Sequence, residues 1–389
     1  MKKFFALLLA AMMVVSLFAG CGSSAPAENN DAPQANASAT PIKVGTSGPL
    51  TNDYAVYGKA VEYGLTLAFE EINALGGLQF ELRAEDDEAD GEMAVNAYNA
   101  LMDWGMQIMA GPTTSGSAAA AAAECAADGV FMLTPSASDA SVIAAGDNVF
   151  QICFTDPNQG IGSADFIFSH ALGEKVGIIY DSSNPYSLGI YNKFVEQANN
   201  IGLVIVAEEA FTADNKADLT TQVTKCKEAG ADLVFLPIYA AEAAQVLTCA
   251  DKIGYDVPFF GCDGLDGILG KVSDPAIAEN VLMLTPFAAD STEADVQAFV
   301  AGYQAAYNAT PDQFAASGYD TIYAIKAAVE KANVTSADAD LSSKVVAAMK
   351  EVTVDGVTGT MTWGEDGETT KAAQAMIIHD GVASLYAAG

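Results

Sequence analysis

Short β-branched runs alternate with helix-length amphipathic segments along most of this chain, and that alternation limits what it can fold into. Ile42-Lys43-Val44 leads into a Gly-Pro turn. Val61, Leu65, Ala68 and Ile72 then recur at helical spacing until Gly76-Gly77 ends the segment. The pattern continues through Gln79–Ala84, a helix around Met93–Trp104, Met106–Ala110, an alanine-rich helix from Ala118, and Val130–Thr134. A second series starts near residue 157: Lys175–Tyr180, helix Leu188–Asn199, Leu203–Ala207, helix Leu219–Ala229, Ala231–Pro237, helix Ala241–Ile253 and Pro258–Gly261. Strands separated by helices of this length return through right-handed crossovers and build parallel sheets. Two series predict an α/β protein of two doubly wound lobes. The helices of 294–350 and the segments Gly359–Trp363 and Ala375–Tyr386 are too short for a third domain and are expected to complete the first two.

The N-terminus predicts export. Lys2 and Lys3 precede an apolar run from Phe4 to Val15, closed by Leu17-Phe18-Ala19-Gly20-Cys21. This is the layout of a secretory signal peptide over 1–20, too short for a membrane-spanning helix. Small residues directly before Cys21 resemble a lipoprotein cleavage motif, in which that cysteine is acylated and becomes the mature N-terminus. Between Gly22 and Pro41 no apolar residue is larger than alanine. Such a stretch cannot bury a core, so 21–41 reads as a lipidated cysteine on a flexible tether. The mature protein is expected at the cell membrane, lipid-anchored on the extracytoplasmic face.

Charge excludes some partners. Lys plus Arg number 17 against 50 Asp plus Glu, a net charge of −33, which disfavours nucleic acid and bare anionic membrane. Five cysteines follow Cys21, at 125, 153, 226, 249 and 262, an odd number with no CxxC pair. They read as buried thiols rather than a disulfide framework or a zinc cluster. The chain has only His170 and His379, and no HExxH, GxSxG, GxGxxG turn or GxxxxGK[ST]. No enzyme, metal or cofactor is expected.

In open parallel sheets, ligands bind beyond the carboxyl ends of the strands. After Met109-Ala110 comes a hydroxyl-rich loop, Gly111 to Ser117, which opens directly into Ala118–Ala123. Free N–H groups at that helix start would hold a carboxylate, although Ser115 or Ser117 would equally serve as an ordinary cap. Pro135-Ser136-Ala137-Ser138 is a second loop of similar character. Asp263, after Phe259-Phe260-Gly261, would face an ammonium or form a turn. Tyr186 and Tyr239 follow strands of the second series, as pocket walls or as ordinary surface.

These residues carry a resemblance. Ile42-Lys43-Val44-Gly45, Gly48-Pro49-Leu50-Thr51, Val56-Tyr57-Gly58, Glu71 to Gly77, Leu133 to Ser138 and Gly356 to Trp363 resemble, in order, the type I periplasmic binding proteins of branched-chain amino-acid ABC transporters. The resemblance spans 42–389. It implies three crossings between lobes, giving an N-terminal lobe of 42–156 plus 287–370 and a C-terminal lobe of 157–286 plus 371–389. It places the ligand carboxylate on Ser115, backbone and hydroxyl contacts on Ser136, Ala137 and Ser138, and the ammonium on Asp263. Aromatic walls fall on Tyr57, Tyr186, Tyr239 and Phe314, and Asp156 matches an acid at the first crossing.

Two departures stand out. Thr114 occupies the place of one half-cystine and no cysteine lies in 79–92; Asp263 is one methylene shorter than the family's Glu. The implied function is a monomeric amino-acid-binding subunit that serves an ABC permease. A ligand-sensing domain of the same fold, or a binder of an amide or aromatic acid, are the alternatives.

Overall fold

The computed structural model describes residues 40–369 and 371–387. The signal peptide, Cys21 and nearly all of the tether lie outside them.

The first series forms β1 (Ile42–Gly48), α1 (Ala55–Ala74), β2 (Phe80–Asp86), α2 (Gly91–Trp104), β3 (Ile108–Met109), α3 (Ser115–Asp128), β4 (Phe131–Thr134), α4 (Ala140–Ile143) and β5 (Val149–Gln151). The second forms α5 (Asp156–Ser169), β6 (Lys175–Asp181), α6 (Pro185–Ile201), β7 (Val204–Phe211), α7 (Thr220–Glu228), β8 (Leu233–Leu236), α8 (Ala240–Lys252), β9 (Phe259–Gly261) and β10 (Leu282–Thr285). Then come α9 (Ala294–Tyr307), α10 (Gln313–Ala332), α11 (Leu341–Met349), β11 (Thr353–Gly356), β12 (Gly359–Thr362), β13 (Gln374–His379) and β14 (Val382–Leu385).

Two sheets result. The first runs β2-β1-β3-β4-β5, all parallel. The second runs β14-β13-β10-β9-β8-β6-β7, and its parallel part repeats the same winding from β6 onward. Each therefore has a topological switch point, between β1 and β3 and between β6 and β8, where loops diverge and leave a crevice. The central strands are buried on both faces, as in β4 and β8, whose residues are all buried. The chain passes from the first sheet to the second after β5; after β10 it returns to pack α9 and α10 against α1 of the first side, and between Thr369 and β13 it crosses to the second sheet again. The five cysteines after Cys21 are buried thiols.

The C-terminal segment joins the second sheet. Ala375–Tyr386 is a hairpin, β13 and β14, laid antiparallel on β10. Asp380 and Gly381 both adopt left-handed backbone (φ 50° and 73°), the two-residue turn that matches strand twist. The other late segment, β11 with β12, is a separate antiparallel pair outside both sheets.

One packing detail positions the site. A β-carbon on Gly64 of α1 would stand 2.0 Å from the Ala315 carbonyl oxygen, and one on Gly318 of α10 would stand 2.6 Å from that of Val61. Glycine at both places lets α1 and α10 touch backbone to backbone. That contact brings Phe314, at the start of α10, to 4.7 Å from Tyr57, at the start of α1.

Candidate functional site

The switch-point loops of the two sheets face each other. Between them lies a small cleft lined by Tyr57, Thr113, Thr114, Ser115, Ser136 and Phe314 from the first-sheet side and Tyr186, Tyr239, Asp263 and Gly264 from the second. Its volume is about 10 Å³, on the order of one water molecule. Aromatic rings fill most of the space: Tyr239 stacks on Tyr186 at 4.8 Å and lies 5.2 Å from Tyr57.

Ser115 is the first residue of α3, and no side chain caps that helix. Instead the Ser115 Oγ accepts the N–H groups of Ser138 (3.2 Å) and Asp139 (3.3 Å), while Ser117 Oγ turns away to the Asp90 carbonyl. With both lone pairs of Ser115 occupied, its hydroxyl hydrogen is what remains, so the group acts as a donor. The open first-turn N–H groups of α3 and the positive end of its dipole point the same way. Ser136 is the complement. Its hydroxyl donates to the Thr113 carbonyl at 2.6 Å, which leaves its lone pairs to accept. Thr114 Oγ1 is buried and meets no partner among the described residues.

Ala137 and Ser138 do not line the cleft. The Ala137 carbonyl accepts Gln151 Nε2 (2.7 Å) and Cys153 Sγ (3.3 Å), and its N–H donates to Thr134 Oγ1, so its backbone groups are spent inside the protein. The Ser138 hydroxyl is turned toward Asp156 without reaching hydrogen-bond geometry.

Across the cleft, Asp263 is buried, and its Oδ1 accepts the Tyr186 hydroxyl at 2.8 Å. The same phenol accepts the Gly264 N–H at 2.9 Å, while Gln159 holds the Asp263 N–H. Tyr186 is thus a partner of the acid as well as a wall. Burial pushes the Asp263 carboxyl up to about 7, tempered by the Tyr186 bond. Asp156, at the start of α5, is also buried and neither of its oxygens has a partner among the described residues; burial raises it well above the carboxylate range, and the charges of Asp139 and Asp263 add to this. Two buried acids therefore sit by the cleft, and among the described residues no lysine or arginine lines it.

Sequence reading named Tyr57 as a wall but missed the hydrogen bonds that hold the two sides together, and it missed Tyr54, Lys216 and Glu242. The Tyr57 hydroxyl donates to the Gly264 carbonyl and accepts the Ala240 N–H, each at 2.7 Å. One turn earlier, the Tyr54 hydroxyl donates to Glu242 Oε1 at 2.6 Å and accepts Lys216 Nζ, which also pairs with Glu242 at 3.0 Å. Tyr54 stands three residues before Tyr57 at the start of α1, a spacing that offered the one available signal. Away from the cleft, Glu279, His379 and Asp380 offer ligand atoms within 4.8 Å of one another. They are largely exposed and already hydrogen-bonded among themselves.

A family model described as periplasmic binding protein matches residues 41–381. The chain belongs to the periplasmic binding protein family. Among its relatives, a Leu/Ile/Val-binding protein homolog of Brucella melitensis is 29% identical, over 86% of this chain and 90% of that protein. A branched-chain amino acid transporter substrate binding protein from Streptococcus pneumoniae, solved in complex with isoleucine, superposes with a TM-score of 0.80 at 28% identity, covering 89% of this chain and 99% of that one. An ABC-transporter solute binding protein from R. palustris, solved with benzoate, has a TM-score of 0.81 at 19% identity, covering 89% and 95%; that likeness is one of fold. This periplasmic binding protein thus has the type I architecture, and among its described residues no helix is long and apolar enough to cross a membrane.

Proposed function

We propose that this chain is the extracytoplasmic substrate-binding subunit of an ABC importer and that it captures an α-amino acid with a branched-chain or other aliphatic side chain. The observation that carries this reading is the opposition of a donor end, Ser115 at the uncapped start of α3, to an acid end, Asp263, across one aromatic-walled cleft. A zwitterion satisfies both. Ser115 and the α3 N–H groups take its carboxylate, Asp263 and the Ser136 hydroxyl take its ammonium, and Tyr57, Tyr186, Tyr239 and Phe314 surround its side chain. Lobes of 42–156 plus 287–370 and 157–286 plus 371–389 part to admit the ligand and close on it. Because the ligand touches both only when they are shut, it shifts the open–closed equilibrium by its differential affinity, and a permease reads the closed form. The protein binds and releases its ligand as a monomer without chemical change. An aromatic acid such as benzoate suits the donor end but brings no cation to Asp263 and Asp156.

Calorimetry tests this reading through its proton. An ammonium pairs with the ionised Asp263, whose carboxyl in the free protein is held up to about 7. Binding at or below pH 7 should therefore release a proton, and leucine or valine affinity should fall up to about tenfold per pH unit below 7 while staying level from 7.5 to 8.5. Titrations in buffers of different ionisation enthalpy read that release directly. Affinity that does not change between pH 5.5 and 8, with no proton released, would remove Asp263 from the ammonium; binding of benzoate but of no amino acid would overturn the ligand class.

Anchoring is the second part of the proposal, carried by Ala19-Gly20-Cys21 and the core-free tether behind it. Cys21→Ser should move the protein from the membrane fraction to the soluble fraction with ligand affinity unchanged, because only the acyl chains are lost. A serine variant that still sediments with membranes would contradict it.

A further inference from the structure

A second, larger cavity lies on the other side of the 3₁₀ turn that carries Asp263. It occupies about 400 Å³ between that turn, the α9–α10 loop and the β10–β13–β14 edge, within the range of small-molecule pockets, about 300–1,000 Å³. Ile268, Met283, Phe287, Met376 and Ile378 give it apolar walls, and among the described residues no lysine or arginine lines it. Its charged lining groups are two carboxylates, Asp266 and Asp312. Each has one oxygen committed to the start of α10: Asp266 Oδ2 accepts the Gln313 N–H at 3.0 Å, and Asp312 Oδ1 accepts the Ala315 N–H at 2.9 Å. Among the described residues no side chain bonds their other oxygens, and the Gly267 and Phe314 N–H groups lie near enough to lower the two carboxyls.

We propose that this cavity is a second ligand site, which takes a protonated organic amine with an apolar body. Two half-satisfied carboxylates beside an apolar chamber match one cationic head and one greasy tail. A lone divalent cation is a poor match, since calcium needs six to eight oxygens and magnesium a near-octahedral set, whereas most of this lining is carbon. An anion would meet two like charges. Burial raises both carboxyls above their ordinary range, and the charge of Asp266 raises Asp312 further, a cost that a cation between them relieves. Asp266 precedes the chain's second passage between the sheets and Asp312 follows it, so the amine head would bridge the two sides as the amino acid does in the cleft.

The probe is 2-phenylethylamine, with 2-phenylethanol as its uncharged match, followed by ligand-observed NMR and calorimetry on the full chain. The amine should bind wild type about tenfold or more tightly than the alcohol, from a charge-assisted hydrogen bond, and Asp263→Asn should leave this unchanged. Asp266→Asn with Asp312→Asn retains both helix-capping acceptors and should erase the preference. Ala383→Trp, at the half-buried edge of the cavity, should abolish binding of both probes. Equal binding of amine and alcohol by wild type would overturn the proposal. So would amine binding that survives Ala383→Trp, or that disappears in Asp263→Asn, which would assign it to the amino-acid cleft.

Discussion

Asp263→Ala is expected to weaken amino-acid binding by about 2–5 kcal/mol, roughly 30-fold to several thousand-fold, because an ammonium desolvated in the cleft would lose its charged partner. The structure adds a reason for the upper part of that range. The Asp263 carboxylate is itself positioned by Tyr186, and the Tyr186 hydroxyl by the Gly264 N–H. Removing the acid leaves a buried phenol without its acceptor as well as the ligand without its counter-charge. Ser115→Ala should cost less in affinity, about 1.5–3 kcal/mol for one donor to a charged acceptor. Part of its effect should appear as lost stability in the free protein, since the Ser138 and Asp139 N–H groups lose their acceptor. The pattern across ligands separates the two roles. Titrated with leucine and 4-methylpentanoate, the Asp263 variant should discriminate little between amine and des-amino acid, whereas the Ser115 variant should still prefer leucine. Wild-type affinity in both variants would mean that the site lies elsewhere.

The second large effect concerns stability. Asp320 of α10 is buried, and its carboxylate accepts the N–H groups of Val357 and Thr358, each at 2.9 Å, together with the Thr358 hydroxyl. That hydroxyl in turn accepts the ammonium of Lys371, buried where the chain makes its third passage between the sheets. Burial pulls Lys371 down to about 8, and the Asp320 charge opposes that pull. A β-carbon on Gly356 would come within 2.5 Å of the Asp320 carboxylate, so the turn between β11 and β12 wraps this acid closely. Asp320→Ala should therefore destabilise the fold by about 3–5 kcal/mol, leaving a buried cation and two peptide N–H groups unpaired. Adding Lys371→Met should recover the part of the loss that comes from the unpaired buried cation, because methionine is of similar length and carries no charge to desolvate, while the two N–H groups stay unpaired. Urea denaturation of the two variants at pH 7 measures both numbers. A single variant that loses under 1 kcal/mol, or a double variant no better than the single, would show that the acid does not support the lysine.

The sequence by itself determined the repeated strand–helix winding and the loops in which polar chemistry gathers. Both follow from local signals: the two periodicities of side-chain burial, β-branched runs, and the hydroxyl-rich stretches after Met109 and Thr134. Other properties rest on partners that only the folded chain brings together. Tyr57 reads as an aromatic wall by resemblance, and only the fold sets its hydroxyl between Gly264 and Ala240. Tyr186 becomes the partner of Asp263, and Ala137 withdraws behind its loop once Gln151 and Cys153 claim its carbonyl. Tyr54, Lys216 and Glu242 come together from three separate segments. The raised carboxyls of Asp263 and Asp156 arise from burial and neighbouring charge, which only the tertiary structure decides, because desolvation depends on what packs around a group and not on its neighbours along the chain.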